Sequence, residues 1–526
     1  MGRTGSGAVL FALAWCAAAA NSIYFPEQSE AEEAAEQVRA VAEPLALEAE
    51  PPTNGTQPGH AIQFSEEDGR PDVFVPAASL WLSQLDNIIA RGVLQFAVDL
   101  DRTLWAAGGG RDAAPGAGAG AVFSPLSVVG ALALVLLGAG GHTHTEVATL
   151  LGLTTGVDLS GARADLFHEH FGRQLSRLVA RPGVDTSTEV ALASAIFLQR
   201  DFPLLRQFVA YAREVYRSEV LNLDFRLQPT LAQAAINDWV ENKTRGKIRD
   251  FLPFPPLPET RVIIGSAIYF NGAWQVPFPL THSMKRPFYV TGGYKGVVTP
   301  QDEVLEVTLM TNAADLPYAT DSSLGCSILG LPYRGGEAVM YLVLPDKMGY
   351  QALRELEDRL DAPTLEHLIA STNTTPVILA VPRMSLEAST SLKDHLETMG
   401  VKTLFDQHAA NLSGLSPGVR VQVENPDADN QTSTDATFTV GPGLYVDDVL
   451  HKVQVEVTET GTVAAAATAL SITRDGSRPV FRADHPFLFF IHHRATRLVM
   501  FWGRVIRPTP HTVRQAPQPA DAAANS

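Results

Sequence analysis

Behind Ser124 and Pro125 the chain reads LSVVGALALVLLGAG, apolar on every face that a helix could turn. A helix without a polar side must be enclosed all round, because any face left in water would hold Val and Leu side chains exposed. Ser124 stands where an N-cap is needed and Pro125 at the first helical position. Val128–Ala139 is too short to cross a bilayer as a helix, which takes about 20 residues. The fold must therefore lay structure on more than one side of this segment, and 526 residues supply the length.

Composition agrees with a large folded body. Hydrophobic residues make up 45% and charged residues 18%, with a net charge of −17 that repels nucleic acid and anionic membrane surfaces. Residues 21–75 alone hold twelve acids and two bases, leaving about half of the net charge for everything after them. Poor in large apolar groups, residues 21–79 read as a mobile acidic extension. Ahead of it, Arg3 and the apolar run Ala8–Ala20 form a signal peptide over residues 1–20, with small residues before Asn21. Secretion is expected.

Removing that segment takes Cys16 with it, so Cys326 is the one cysteine left and no intramolecular disulfide can form. Within SLGCSILGLPY, Cys326 reads as a buried, inert thiol. In a secreted chain the sequons at Asn54, Asn242, Asn373, Asn411 and Asn430 become glycosylation candidates, each in a segment of turn or loop composition.

Leu80–Trp105 places Leu85, Ile88, Ile89, Val93, Phe96, Ala97 and Leu100 on one helical stripe, which the Gly-rich insert 108–120 ends. Helical windows at 164–180, 204–218 and 230–242 give way near Arg261 to strand signals such as VIIGSAIYF, AVMYLVLP and RLVMFWGRVI. Helices first and strands later is an α+β order. Residues 417–442 read as an exposed polar insert, and 511–526 as a disordered tail.

No catalytic constellation has the required spacing: G-x-S-x-G, H-E-x-x-H, a P-loop and paired cysteines are all missing, so no enzyme, metal or cofactor is expected. His142 and His144 read as a solvated loop, and His492 and His493 as strand neighbours facing opposite sides. The distinctive segment is VTETGTVAAAATALSITRDGSRPVF. Exposed loops rarely hold runs of Ala and Thr, but small uncharged side chains pass between exposed and buried states at little cost. A segment built to slide between two strands needs that composition.

FSPLS (123–127), INDWVENKTRGKI (236–248), SAIYFNGAW (266–274), LPY (331–333), NLSGLS (411–416), LYVDDVLHKVQVEVTETGT (444–462) and HPFLFFI (485–491) follow one another in an order that resembles the serpin family, across residues 80–510. The resemblance implies about nine helices, three β-sheets and an exposed reactive-centre loop near 459–480. It implies no catalysis but suicide inhibition. A target serine protease attacks the loop, and the acylated loop then enters a five-stranded sheet as an extra strand, led by the hinge Glu459, Gly461, Thr462, Val463, Ala464, Ala465, Ala466 and Ala467. Thirteen residues at ~3.3 Å each carry the tethered protease roughly 43 Å. Ser124, Ser127 and His451 match the shutter beneath the sheet, and Trp274 the breach where insertion starts. Where many serpins have Asn, this chain has Ser266 and Gly120.

Counting along the loop gives Asp475-Gly476 as the scissile bond, whereas Arg474-Asp475 suits the trypsin-like enzymes common outside cells and is preferred. Arg163, His170, Arg173, Arg177 and Arg181 lie on one helical stripe that in some serpins binds heparin-like glycosaminoglycans, although Asp165 and Glu169 interrupt it. The expectation is a secreted, monomeric inhibitor that forms a covalent complex with its protease, similar to arthropod serpins that restrain immune cascades such as melanisation. A non-inhibitory serpin, a carrier or binding protein, is the alternative.

Overall fold

A computed structural model of the chain describes residues 77–107, 121–153, 162–178, 188–292, 302–417, 420–421, 438–439, 443–459, 478–510 and 512–513. Nine α-helices are found among them: α1 (Ala77–Ala107), α2 (Pro125–Gly138), α3 (Gly141–Leu150), α4 (Ala162–Leu178), α5 (Arg206–Tyr216), α6 (Pro229–Lys243), α7 (Tyr350–Glu357), α8 (Ala362–Ser371) and α9 (Lys393–Thr398). The strands in chain order are β1 (Ala121–Phe123), β2 (Thr188–Gln199), β3 (Glu219–Leu223), β4 (Val262–Gly272), β5 (Ser283–Tyr289), β6 (Val304–Asp321), β7 (Cys326–Pro332), β8 (Ala338–Pro345) and β9 (Asn373–Pro382). They continue with β10 (Met384–Ser391), β11 (Arg420–Val421), β12 (Phe438–Thr439), β13 (Asp448–Val457), β14 (Val480–Arg482), β15 (Phe487–His493), β16 (Val499–Val505) and β17 (Thr512–Val513).

Among the described residues three sheets result, as the resemblance implied. Ten strands join in the order β1-β16-β15-β8-β7-β6-β9-β14, with β5 and β17 also on β6; five form β10-β13-β4-β2-β3; and β11 pairs with β12. The all-apolar helix is central as expected: every residue of α2 but Leu137 is buried, and Ser124 caps it by accepting the Ser127 N–H. The stripe on α1 is inward too, Ile88 being half-buried and the others fully so.

The five-stranded sheet lies between two apolar layers. Ile263, Ala267 and Tyr269 of β4 pack with Ile236 and Val240 of α6. Ile264, Ile268 and Phe270 face the main core that contains α2. Alternate residues of one strand thus serve both layers, and for that reason all eleven residues of β4 are buried.

Two expectations need correction, and a third gains detail. His142 and His144 belong to α3, not to a loop, because Gly140 caps that helix and Gly141 takes the left-handed conformation (φ 55°) that only glycine adopts cheaply. The chain beyond residue 510 is not wholly a tail, since Thr512 and Val513 pair with Glu306 and Leu305 of β6. The polar insert contains a ladder in which Arg420 and Val421 face Thr439 and Phe438. Cys326 is 1% exposed, and burial pushes its thiol up to about 12, which fits the inert reading.

Arg504 of β16 is buried between α1 and α7, with Asp101 at 3.2 Å and Glu357 at 3.6 Å. One guanidinium serves two buried carboxyls, so burial, and then the charge of Asp101, push Glu357 up to about 8. Arg504→Met should lower native-state stability by about 3–5 kcal/mol, because it strands both acids; the shift of the urea unfolding midpoint measures it.

Candidate functional site: the seam between β13 and β4

Strand β13 lies beside β4 in parallel, with Asp448 opposite Ile263 through to Val455 opposite Phe270. No other strand stands between them. Along β13, Val449, His451, Val453, Val455 and Val457 are buried towards the core, while Leu450, Lys452, Gln454 and Glu456 point the other way and are half-buried. This alternation comes straight from LHKVQVEV. The seam is fastened at three levels.

At its midpoint His451 faces Ser266. The imidazole Nδ1–H donates to the Ser266 carbonyl at 3.1 Å, and Nε2 accepts the Ser124 N–H at 2.9 Å. Ser124 Oγ donates in turn to the Met500 carbonyl of β16 (2.5 Å), and Ser127 Oγ to the Ser124 carbonyl (3.2 Å). The cap of α2 is thereby tied to both strands of the seam and to the larger sheet. Ser266 Oγ is buried without a hydrogen-bond partner among the described residues. A longer amide at that position would have the reach that serine lacks. Gly120 lies outside the described residues.

At the upper end Trp274 stacks on Tyr333, with ring centroids 4.5 Å apart and 19° between planes, and its Nε1–H donates to the Thr458 carbonyl at 2.8 Å. The Phe278 N–H donates to the Glu459 carbonyl at 2.7 Å. The Glu459 carboxylate is 5% exposed and lies 4.0 Å from Arg383. The two residues that follow β13 are therefore held by their main-chain carbonyls against the residues that follow β4. Gly461 to Ala467, Arg474, Asp475 and Gly476 lie outside the described residues.

The lower end carries a clasp that sequence reasoning missed. The Asp447 carboxylate accepts the Arg261 and Val262 N–H groups at 2.6 and 3.1 Å, and its own N–H donates to the Val262 carbonyl at 2.8 Å. Burial raises the Asp447 pKa in spite of those donors. No local spacing announces it, because its partners lie 186 and 185 residues away along the chain.

Of the glycosylation candidates, Asn242, Asn373 and Asn411 are exposed, and Asn54 and Asn430 lie outside the described residues. Asn242 is in the last turn of α6 and Asn373 opens β9, so neither is in the loop that composition suggested. The basic stripe is less free than its spacing implied. His170 lies 2.6 Å from Asp86 of α1 and Arg173 pairs with Glu169 at 3.0 Å, while Arg177 is exposed. The side chain of Arg163, and Arg181 altogether, lie outside the description. Among the described residues no group of three or more His, Cys, Asp or Glu is arranged to hold a metal ion. No helix among them is long and apolar enough to cross a membrane.

A family model described as Serpin (serine protease inhibitor) matches residues 110–508. The chain belongs to the serpin family. A curated relative named Serine protease inhibitor 28Dc, from Drosophila melanogaster, is 30% identical over 420 residues, covering 74% of this chain and 75% of the relative. Leukocyte elastase inhibitor of Equus caballus is 32% identical, covering 78% and 97%. Among solved structures, uncleaved ovalbumin aligns with a TM-score of 0.64 at 25% identity, over 80% of this serpin and all of ovalbumin. Human thyroxine-binding globulin aligns with the same TM-score at 23% identity, over 81% of this serpin and all of the globulin.

The midpoint of the seam should be acid-sensitive. Burial lowers the His451 pKa from 6.5 to about 4 and keeps the ring neutral, as its acceptor role at Nε2 requires. The unfolded chain takes up this proton first, so the His451 contribution is whole above about pH 6.5 and shrinks as pH falls. By pH 4 about 3 kcal/mol is lost. Unfolding midpoints followed from pH 7 to 4 should therefore fall more steeply for the native chain than for His451→Gln; parallel curves would show that this residue is not the sensor.

Proposed function

We propose that this serpin is a secreted, glycosylated suicide inhibitor of a trypsin-like extracellular serine protease, with Arg474-Asp475 as the scissile bond. One observation carries the reading. A parallel seam held by a few side chains is followed directly, after Glu459, by a hinge composed of Gly461, Thr462, Val463 and four alanines. A strand entering from the hinge side would run antiparallel to both neighbours, replacing one ladder by two. Eight to ten extra hydrogen bonds at about 1 kcal/mol each, with further apolar burial, supply a drive on the order of 10 kcal/mol.

The small hinge residues keep entry fast, and entry must outrun hydrolysis of the acyl-enzyme. Arg474 presents the cation that trypsin-like pockets select, and the signal-like leader sends the chain where such enzymes act. The acidic leader and the polar insert support a place among arthropod-type serpins that restrain an extracellular cascade such as melanisation.

Mixed with trypsin, the protein should give a covalent complex on denaturing gels and release a C-terminal fragment beginning at Asp475. A fragment beginning at Gly476 would move specificity to aspartate, and cleavage without a complex would favour a carrier or binding role. Thr462→Arg should turn most encounters into plain cleavage, raising the stoichiometry of inhibition several-fold, because a buried unpaired guanidinium opposes entry of the hinge.

A further inference from the structure

The family match ends at residue 508, and the residues just past it are tied into the fold. Three contacts fasten the stretch from Arg507 to Val513. The Arg507 guanidinium forks onto the Glu303 carboxylate, Nε to Oε1 and Nη2 to Oε2 at 2.6 Å each. Thr509 and Ser385 exchange two hydrogen bonds, the Ser385 N–H donating to the Thr509 carbonyl at 2.8 Å and Thr509 Oγ1 to the Ser385 carbonyl at 2.6 Å. Thr512 and Val513 then pair, as β17, with Glu306 and Leu305 of β6.

Two sheet edges are closed in this way. β10 is the outermost strand of the seam's sheet, with β13 on its inner side, and Thr509 takes up main-chain groups of Ser385 on the outer one. On β6, Leu305 and Glu306 face Phe288 and Pro287 of β5 on one side. The other side belongs to β9 from Leu309 onward; the Arg383 N–H still reaches the Thr308 carbonyl at 2.8 Å, and the chain then turns off into β10. β17 occupies the length of edge that β9 leaves.

The placement decides what this strap can do. Ser385 stands opposite Glu456, two residues before Thr458, whose carbonyl Trp274 holds at the hinge end of the seam. Between β9 and β10 there is only Arg383, and a one-residue joint is a pivot. A second tether, from β10 to β6, removes the rotation that a single joint allows. Eight residues of β13 are paired with β10, so both strands are held to the larger sheet at that end. A sheet that gains stability by admitting a strand needs a restraint against opening unprompted. Resting on the insertion reading above, we propose that residues 509–513 are a clasp that raises the barrier to opening the seam, by denying β10 and β13 an outward swing at the hinge end.

A chain ended after Pro508 tests this without a protease, with a synthetic peptide of residues 461–473, GTVAAAATALSIT, as the probe. Filling the seam should raise the melting temperature of both proteins, and the shortened chain should fill about tenfold faster, because each hydrogen bond lost from the closed state is worth up to about a factor of five. Thr509→Val, which removes one donor and leaves β17 in place, should fill about two- to fivefold faster, and it decides alone if the shortened chain does not fold. Equal or slower filling overturns the clasp. So does a shortened chain that melts lower by the same amount empty and filled while filling at the native rate, since those residues would then support both states alike. If the native protein takes up no peptide, the insertion reading falls first and takes the clasp with it.

Discussion

The rest of the molecule is arranged around the parallel contact between β13 and β4. A parallel pair in mid-sheet is ordinarily joined by a crossover and buried for good. Here its two strands come from distant parts of the chain, and their union depends on hydrogen bonds to side chains as much as on the ladder. His451, Trp274 and Asp447 each sit at a different height and each join β13, or the residues at its ends, to a neighbour. Each acts at its own level of the seam. Together they decide whether two well-packed halves stay in contact.

That division of labour explains why a buried histidine is tolerated in a row of valines. Val449, Val453, Val455 and Val457 make the inner face of β13 apolar and interchangeable with any core strand. His451 alone in that row has a fixed direction of donation and acceptance, so it specifies which strand lies opposite and which helix cap lies below. Its neutral state is a product of the enclosure and would be lost first wherever water entered. Chemistry and packing are coupled at one ring.

What local pattern controls was readable beforehand. The apolar period of α1, the uniform apolarity of α2 and the alternation of β13 each follow from spacing within a few residues, and each element formed where spacing placed it. The hinge is a reading of composition alone, since Gly461 to Ala467 lie outside the described residues. What stayed hidden depends on partners far along the chain. Nothing near Asp447 says that its carboxylate will meet Arg261 and Val262, nor does the spacing of His170 reveal Asp86. The glycines before His142 were misread because a breaker and a helix cap share a composition, and only the backbone angle at Gly141 separates them. A resemblance to known serpins supplied the long-range pairing that periodicity could not.

Along β13 the inward face is fully buried, while the outward face, with Lys452, Gln454 and Glu456, is only half-buried. Any peptide admitted beside it must present every second side chain to each face. Volume limits fall on the core-facing half of such a peptide, leaving the outward half less constrained. Under the inhibitory proposal, substitutions at the less constrained positions would alter the bait sequence while those facing the core kept the fit, so choosing a target and holding it would not compete for the same amino acids.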